Sequence, residues 1–546
     1  MKNSRSVIAI RVVFGLAHLL LIALGVVILK DDPRFQSARF LTTALTTIEE
    51  NICEPADPER MFASAWLGMN DILDPYTIFI PARSYQFVDE ENRGSFEGIG
   101  VEITVRDGFV TVISPMAGSN AEEVGLRSGD QVITVDSTDV EGMSADEVTS
   151  MIRGPAGSTV LLGIKRPGYA KSFEVRVERR QVDLSSISYS GVLDSIGYIH
   201  LNRFSLTTPV EINEALDRLT RNGISGLALD LRGNPGGFMS AAVYLAQIFL
   251  PADKLILATK SRRGWENYAI NSVDDGPLID LPLVVLVDRG SASASEIVAG
   301  VLQDYDRAVI IGDTTYGKGL VQTNLMLEGG NAFRITTSKY YLPSGRLVQR
   351  FADKDWAKYL NVSRSELNTA FRTEGGRSVY GGGGVAPDVE VPPDSINLLA
   401  ASLSYGSYFF KFTVDYRAAH GDSIPVEVDD KILEDFRKYV MAQGFEAPNY
   451  MLDRVTVLEE QLADLNSDAL APILARMKER AETLDGVEWA EAKMYIAERL
   501  RERLADQRGG VEEVYSSSRL RYDRRIRSAF EILSDMNLYE SLLKEH

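Results

Sequence analysis

Residues 283–319 restrict the fold of this chain most strongly, because two short apolar runs flank a turn of small residues and an amphipathic segment. The first run, Leu283–Val287, is short and rich in β-branched side chains, which predicts a buried strand. Five later side chains share one helical face: Ile297, Val298, Val301, Leu302 and Tyr305. A second apolar run at 308–311 follows. We interpret the stretch as a strand, a tight turn, a helix and a strand within an α/β core.

The turn before this helix contains hydroxyl groups that have two interpretations. Ser293 and Glu296 have the spacing of a capping box. The free N–H groups and the dipole at a helix N-terminus favour negative charge, so an oxyanion formed during acyl transfer would be stabilised there. Ser293 is therefore either a nucleophile or only the cap of the helix.

Lys318 also has two interpretations. Gly312-x-x-x-x-Gly317-Lys318 nearly matches a phosphate-binding P-loop. Gly319 supplies no hydroxyl for magnesium, however, and residues 320–325 look like a strand, whereas a P-loop lysine opens a helix. Alternatively, Lys318 is the base that activates a serine, although a free lysine has a pKa of about 10.4. Burial would have to lower that pKa by ~3 units, at a cost of about 4 kcal/mol.

The two motifs together resemble those of the carboxyl-terminal processing (tail-specific) serine peptidases, which use a serine–lysine dyad. The matching motifs are Ser-Ala-Ser293-Ala-Ser-Glu and Tyr-Gly-Lys318-Gly-x-Val-Gln322. The resemblance implies that Ser293 is the nucleophile, that Lys318 is the base and that Gln322 positions the lysine. It implies no nucleophilic role for Ser291 or Ser295. It covers roughly residues 41–393.

Composition excludes several other chemistries. The chain has four histidines, His18, His200, His420 and His546, and this scarcity favours lysine as the base. Its single cysteine, Cys53, cannot form an intramolecular disulfide, and we expect it to be a small packing residue. No His/Cys cluster has the spacing of metal ligands, so we expect no metal and no cofactor. The net charge of -19 argues against nucleic-acid binding.

Residues 1–30 contain an apolar run at 12–29, which is just long enough to span a bilayer. Lys2, Arg5 and Arg11 precede the run, which predicts that the N-terminus stays inside and the bulk lies on the extracytoplasmic (periplasmic) side. A cleaved signal peptide is the alternative. Bulky residues at 26–29 favour a retained transmembrane signal anchor.

Residues 31–92 form a helical lead-in segment, and residues 93–180 then resemble a PDZ domain in the order of their strands and turns. The loop Gly98-Ile99-Gly100-Val101 matches the carboxylate-binding loop of that fold. Its backbone N–H groups are expected to bind the terminal carboxylate of a peptide that adds to the sheet as a strand. The alternative is a module that only packs on the core.

Residues 181–394 are interpreted as the serine peptidase catalytic core. A predicted strand at 224–231 ends in Arg232-Gly-Asn-Pro-Gly236-Gly237. The resemblance implies that this turn helps to build the oxyanion hole, through the amide of Gly236 or Gly237 paired with that of Ala294. A plain strand-to-helix turn is the alternative. Within this region, residues 350–380 are expected to form a charged loop with a short helix.

Residues 395–546 are predicted to form a helical C-terminal domain, with helices at 430–443, 452–484, 489–507 and 520–543 and a break at Gly509-Gly510. We treat it as an appendage. It either packs on the core or serves a homo-oligomer or another partner.

The predicted fold is an α/β catalytic core with an inserted PDZ domain, an N-terminal transmembrane helix and a C-terminal helical appendage. The predicted function is a membrane-anchored serine endopeptidase that binds protein C-terminal tails through the PDZ domain and cleaves near the C-terminus. Its partners would be proteins or peptides with accessible C-terminal tails, and the membrane through the N-terminal helix. The alternative is a non-catalytic PDZ scaffold that binds protein C-termini.

Overall fold

The computed structural model describes residues 32–57, 60–61, 64–66, 68, 73–350, 369–393, 396–421, 423–447, 450–463, 470–482 and 485–544. The predicted membrane anchor and residues 351–368 of the expected charged loop lie outside these ranges. Within them, no helix combines the length and apolarity needed to cross a bilayer. The chain divides into a smaller unit, 1–85 with 322–336, and a larger unit, 86–321 with 337–546.

The smaller unit contains helix α1 (Pro33–Asn51) and strand β1 (Ile78–Ile80), which pairs antiparallel with residues 332–334. The rings of Trp66, Phe79 and Phe333 contact one another beside this pairing. Cys53 follows α1 and is exposed, so our expectation that it packs inside is wrong. The residues beside it at 51, 52, 54 and 55 are exposed as well, so nothing in its immediate sequence packs against the thiol.

The PDZ region begins after helix α2 (Ala82–Arg93). Its main sheet has the strand order β3-β4-β5-β7-β8, with β6 on β5, while β2 pairs with β9. The strands are β2 (Ser95–Gly98), β3 (Val101–Arg106), β4 (Phe109–Pro115), β5 (Gln131–Val135), β6 (Thr138–Asp139), β7 (Thr159–Lys165), β8 (Phe173–Glu178) and β9 (Arg180–Asp183). The helices are α3 (Asn120–Glu123) and α4 (Ala145–Ile152). Alternating apolar side chains of β4, β5 and β7 fill the core beneath α4.

The catalytic region is built on a six-stranded sheet in the order β10-β11-β12-β15-β16-β21. All its pairings are parallel except that of β10 with β11. Its strands are β10 (Ile187–Leu193), β11 (Ile196–Leu201), β12 (Gly226–Asp230), β15 (Leu283–Val287), β16 (Val309–Gly312) and β21 (Val389–Glu390). Helices α5 (Thr208–Arg221), α6 (Met239–Gln247) and α7 (Ala294–Asp304) bury their apolar side chains in the core on one face. Every residue of β12 and β15 is buried, which explains their continuous apolar sequences.

In a second sheet, β13 (Leu255–Ser261) pairs antiparallel with both β14 (Ala269–Asn271) and β18 (Ala332–Tyr341). Strand β17 (Leu320–Met326) also pairs with β18. Strands β17 and β18 each have residues in both units. The described part of the predicted charged loop contains a small hairpin of β19 (Ala370–Arg372) and β20 (Ser378–Tyr380).

The C-terminal region is helical, as predicted, but its helices divide differently. Its helices are α8 (Leu398–Tyr405), α9 (Tyr408–His420), α10 (Asp430–Ala442), α11 (Tyr450–Ala463), α12 (Ala471–Glu482), α13 (Asp485–Val514), α14 (Leu520–Tyr522), α15 (Arg524–Ser534) and α16 (Met536–Lys544). The predicted break at Gly509-Gly510 is a kink inside α13. The predicted helix at 520–543 is interrupted at Asp523 and Asp535, because each caps a new turn instead of continuing the old one.

The last helices are part of the catalytic core. Residues 515–543 cover the second face of the six-stranded sheet, which the helices α5 to α7 leave open. The apolar contacts join Tyr198, Val284, Leu286 and Ile311 of the sheet to Leu520, Ile526, Phe530, Leu533 and Tyr539. The description of the whole region as an appendage is therefore too simple for its final part.

Candidate active site

Ser293 lies in the turn between β15 and α7 in a backbone conformation that few residues other than glycine adopt, with φ 55° and ψ −110°. The neighbouring hydroxyls hold this turn in place. Ser291 Oγ donates to the Leu231 carbonyl oxygen at 2.8 Å, and Ser295 Oγ donates to that of Asn234 at 2.9 Å. The side chain of Ser293 is only half-buried. Of the three serines, it is the one that the fold leaves open to a substrate.

The backbone at Ser293 also differs from that of an ordinary helix cap. A capping serine normally has extended dihedral angles and uses its hydroxyl to accept a first-turn amide. The carbonyl oxygen of Ser293 accepts the amides of Glu296 at 2.9 Å and Ile297 at 3.0 Å, as the carbonyl of an N-cap residue does. What distinguishes Ser293 from an ordinary cap is its pair of dihedral angles, which are not extended.

The carboxylate of Glu296 connects the Ser293 turn to the Lys318 turn. Its Oε2 accepts the amides of Ser293 at 2.8 Å and Lys318 at 2.7 Å. Its Oε1 accepts the Thr315 hydroxyl at 2.6 Å and the Gly317 amide at 2.7 Å. Burial raises the pKa of Glu296, while these hydrogen bonds act in the opposite direction. The sequence indicated a capping glutamate and gave no signal of its contacts with residues 315–318.

Tyr340 makes a second connection between the same two turns. Its phenol oxygen lies 3.0 Å from the Lys318 carbonyl oxygen and 3.3 Å from that of Ser293. Burial raises the pKa of Tyr340 well above its usual value, so its O–H remains a hydrogen-bond donor at neutral pH. Our reading of the sequence missed this residue, because only the packing of β18 brings it beside α7.

The glycine turn after β12 lies directly against Ser293. A Cβ atom on Gly236 would stand 2.8 Å from the Ser293 Cβ and 2.7 Å from the Ala292 carbonyl oxygen, so the approach requires glycine. The Gly236 amide donates to Asn234 Oδ1 at 2.9 Å and is therefore engaged. Within the described chain, the amides of Gly237 and Ala294 donate to no acceptor. Of the two glycines considered from sequence, Gly237 is the one with an amide available to an oxyanion.

The structure does not support the P-loop interpretation of Lys318. Strand β17 begins two residues after Lys318, where a P-loop would begin a helix. The amides of Gly317 and Lys318, which would face a phosphate, donate to Glu296 instead. Gln322 is half-buried in β17 and belongs to the smaller unit. Its role in positioning Lys318 stays a prediction.

Neither histidine of the described residues contacts the Ser293 turn. His200 lies between the Tyr515 hydroxyl, 2.6 Å from Nδ1, and the Arg232 carbonyl oxygen, 3.2 Å from Nε2. His420 stacks on Tyr416 at the end of α9. No group of three potential ligands among the described His, Cys, Asp and Glu residues is arranged to hold a metal ion.

The predicted carboxylate-binding loop has the geometry that the PDZ interpretation requires. The amides of Ile99 and Gly100 donate to no acceptor in the described part of the chain, whereas both carbonyl oxygens accept hydrogen bonds. Gly100 has φ 75°, and a Cβ there would lie 2.3 Å from the Ser119 Cβ. Val101 opens β3, an edge strand whose second side pairs with no other described strand and could take an added one. A cavity of about 280 Å³ lies between this strand and α4.

Models of three protein families match the chain. "Peptidase family S41" matches residues 195–353, "PDZ domain" matches 111–166, and "Probable PDZ-protease, C-terminal helical domain" matches 399–533.

Similar proteins include the carboxy-terminal processing protease CtpA of Bacillus subtilis, 33% identical over 58% of this chain and 68% of its own length. The carboxy-terminal-processing protease of Bartonella bacilliformis is 34% identical over 54% of this chain and 68% of its own length. The protease CtpB of Bacillus subtilis is 31% identical over 59% of this chain and 67% of its own length.

Proposed function

Because this chain belongs to the carboxy-terminal processing proteases of peptidase family S41, we propose particular residues for its serine endopeptidase chemistry. Ser293 is the nucleophile, Lys318 is the base and Gln322 positions the lysine amine. The main support is the carboxylate of Glu296, which accepts the backbone amides of both Ser293 and Lys318. One buried side chain thereby fixes the separation of the two turns.

In the proposed reaction, Ser293 Oγ attacks the carbonyl carbon of the scissile peptide bond while Lys318 Nζ accepts the hydroxyl proton. The carbonyl oxygen becomes an oxyanion, which the amides of Gly237 and Ala294 stabilise. The C–N bond then breaks, and Lys318 returns the proton to the leaving amine. A water molecule, deprotonated by Lys318, attacks the ester and releases the new C-terminus, so that Ser293 regains its proton.

The PDZ region supplies the preference for protein C-termini. The amides of Ile99 and Gly100 bind the terminal carboxylate, and the tail adds as a strand to the free edge of β3. A bond upstream of the tail then reaches Ser293. The membrane anchor and the periplasmic location remain proposals from the N-terminal sequence, as does assembly through the C-terminal helices. A PDZ scaffold without catalysis is not favoured by the peptidase family match.

The dyad can be tested with the chain that begins at Asp31, as wild type, Ser293→Ala and Lys318→Met. An unstructured protein with an apolar C-terminal tail serves as substrate. We expect wild type to cleave it and both variants to lose activity by roughly 10⁴-fold or more. Circular dichroism checks that each variant is folded.

A second measurement separates the nucleophile from its neighbours. A fluorophosphonate reagent should label Ser293 and leave Ser291 and Ser295 unmodified, as located by mass spectrometry of the digested protein. Labelling should depend on Lys318. Full cleavage by folded Ser293→Ala, or a label on either neighbour, would refute the assignment.

A further inference from the structure

The tail-binding groove is completed by residues from outside the PDZ sheet. Besides β3 and α4, its cavity is lined by Glu90 and Glu91 of α2 and by Leu184 and Arg203 of the catalytic region. A tail in this groove would therefore touch the catalytic region directly.

Two arginines line this cavity, and they differ in their partners. Arg153 pairs with Glu90 and stacks on the rings of Phe87 and Phe96, at 4.6 Å and 4.8 Å. Arg203 uses only its Nε, which donates to Asn202 Oδ1 at 3.1 Å. Its two terminal nitrogens have no partner among the described residues. Arg203 thus has donors available to a ligand, whereas Arg153 is already engaged.

The acidic side chains of the cavity would make such a cation favourable for binding a carboxylate. Glu90, Glu91 and Glu102 line the same space. Their carboxylates would repel the terminal carboxylate of a peptide, and the pairing of Glu90 with Arg153 cancels only one of them. The two free amides of the loop supply hydrogen bonds without net charge.

We propose that Arg203 is a specificity residue that binds the terminal carboxylate of the substrate tail, together with the amides of Ile99 and Gly100. This rests on the tail-binding role proposed above for that loop. A guanidinium suits the task because its planar N–H groups bind both oxygens of a carboxylate at once. The ligand is an unmodified peptide C-terminus.

The position of Arg203 also relates tail binding to the catalytic turn. The next residue, Phe204, donates its amide to the Gly236 carbonyl oxygen at 3.0 Å and accepts the amide of Phe238 at 2.9 Å. A Cβ on Gly237 would lie 2.0 Å from the Phe204 carbonyl oxygen. A tail held by Arg203 is therefore anchored one residue away from the backbone that frames the proposed oxyanion hole.

The test measures binding in the Ser293→Ala chain, so that no peptide is cleaved. One apolar-ended fluorescent peptide is prepared as the free acid and as the C-terminal amide, and both dissociation constants are measured by anisotropy. With Arg203 present, we expect the acid to bind roughly tenfold or more tightly than the amide. Arg203→Gln should reduce that ratio by about tenfold while the amide affinity stays within about twofold. Arg203→Lys should retain part of the preference.

The matched control is Arg180→Gln, which removes an exposed arginine of β9 that pairs with Glu123 and Glu178 and does not line the cavity. It should leave the acid-to-amide ratio unchanged. An unchanged ratio in folded Arg203→Gln would overturn the proposal, as would equal binding of acid and amide with Arg203 present. Failure of the dyad would appear in the cleavage assay of the wild-type chain and would leave these binding ratios as they are.

Discussion

The side chain of Glu296 accepts four hydrogen bonds that connect the Ser293 turn to the Lys318 turn. All four groups around it are hydrogen-bond donors, two backbone amides on Oε2 and an amide and a hydroxyl on Oε1. The ionised form suits these four donors best, because it accepts at both oxygens and donates at neither. Since burial raises the pKa of this group, the hydrogen bonds must offset much of the desolvation cost.

Glu296→Gln tests whether this contact positions the dyad. The amide group offers one oxygen, and its N–H₂ must face two donors, so the turns of Ser293 and Lys318 should separate. We expect kcat to fall by roughly 10²-fold, the effect typical of a small displacement of reacting groups. Tail binding should change little, because the groove lies elsewhere. The measurement is kcat and KM on a tailed peptide, with the exposed Glu214→Gln as control. An unchanged kcat would contradict the positioning role.

Asp230 predicts a dependence of stability on pH. Burial alone would raise the pKa of its carboxyl, but Arg232, His200 and the Tyr198 hydroxyl lower it below the ordinary value of 3.8. The unfolded chain therefore binds this proton more readily, and the contribution to stability is present above about pH 4 and lost as the pH falls. Urea unfolding should show that the free energy of unfolding of wild type exceeds that of Asp230→Asn by about 3 kcal/mol at pH 7.

The difference between these two proteins should shrink between pH 5 and pH 2, roughly the range over which the unfolded carboxyl titrates. Asp304→Asn is a useful comparison, because the pKa of Asp304 is raised. Burial raises it more than the nearby Arg346 lowers it. The stability that Asp304 contributes should fall as the pH rises above the ordinary aspartate pKa, which is the opposite direction to that of Asp230. A constant difference between wild type and Asp230→Asn would contradict the assignment.

The candidate site residues were predictable from the sequence where a local motif carried them. Ser293, Lys318 and the glycines after β12 were each proposed from neighbours within a few positions, and their roles stay predictions. Glu296 and Tyr340 were not, because their contacts join segments far apart in the chain. The choice of Gly237 over Gly236 likewise needed the hydrogen bond from the Gly236 amide to Asn234.

At the level of elements, Asp523 performs two tasks. Its Oδ1 caps α15 by accepting the amides of Arg525 and Ile526 at 2.9 Å and 3.1 Å. The same carboxylate forms an ion pair with Arg232 at 2.9 Å. Arg232 is two residues before Asn234, in the turn that follows β12. The start of a C-terminal helix is thereby connected to the strand end that leads into the glycine turn.

Two substitutions separate these tasks. Asp523→Asn keeps a good helix cap and loses the ion pair, whereas Asp523→Ala loses both. We expect the free energy of unfolding to fall by roughly 1–2 kcal/mol more for alanine than for asparagine. Chemical denaturation of the two variants and wild type measures the order. Equal losses for alanine and asparagine would show that the cap contributes nothing.

Element boundaries were predictable where the apolar pattern was continuous and short. Leu283–Val287 is a strand over its whole predicted length, and α7 follows as expected. The long predicted helix at 452–484 is instead described as α11 and α12, each with its own bounds. Helical periodicity alone does not show where one helix ends and the next begins, since both helices have the same mixture of charged and apolar residues. The interruption at Asp523 carried a usable signal, an N-cap residue within an apparent helix.

For the whole molecule, the C-terminal helices complete the catalytic sheet. A parallel sheet needs both faces covered, and α5 to α7 cover only one. The other face meets residues 515–543, so the region has a structural role that its charged, amphipathic sequence did not indicate. Peptidase activity should therefore require the C-terminal end even though Ser293 and Lys318 lie far earlier in the chain.

A chain that ends at Val514 tests this requirement. Removing α14 to α16 would expose the side chains of Tyr198, Val284, Leu286 and Ile311, each fully buried in the intact protein. At about 25 cal/mol per Å² of apolar surface, this loss exceeds the margin of a typical domain, so we expect an insoluble or ANS-binding product. Size-exclusion chromatography and cleavage of the tailed substrate compare it with the chain from Asp31 to the end. Phe530→Ala, which removes a single side chain from the same interface, should fold with its stability reduced by about 3 kcal/mol. A monomeric, active product ending at Val514 would show that the sheet tolerates an open face.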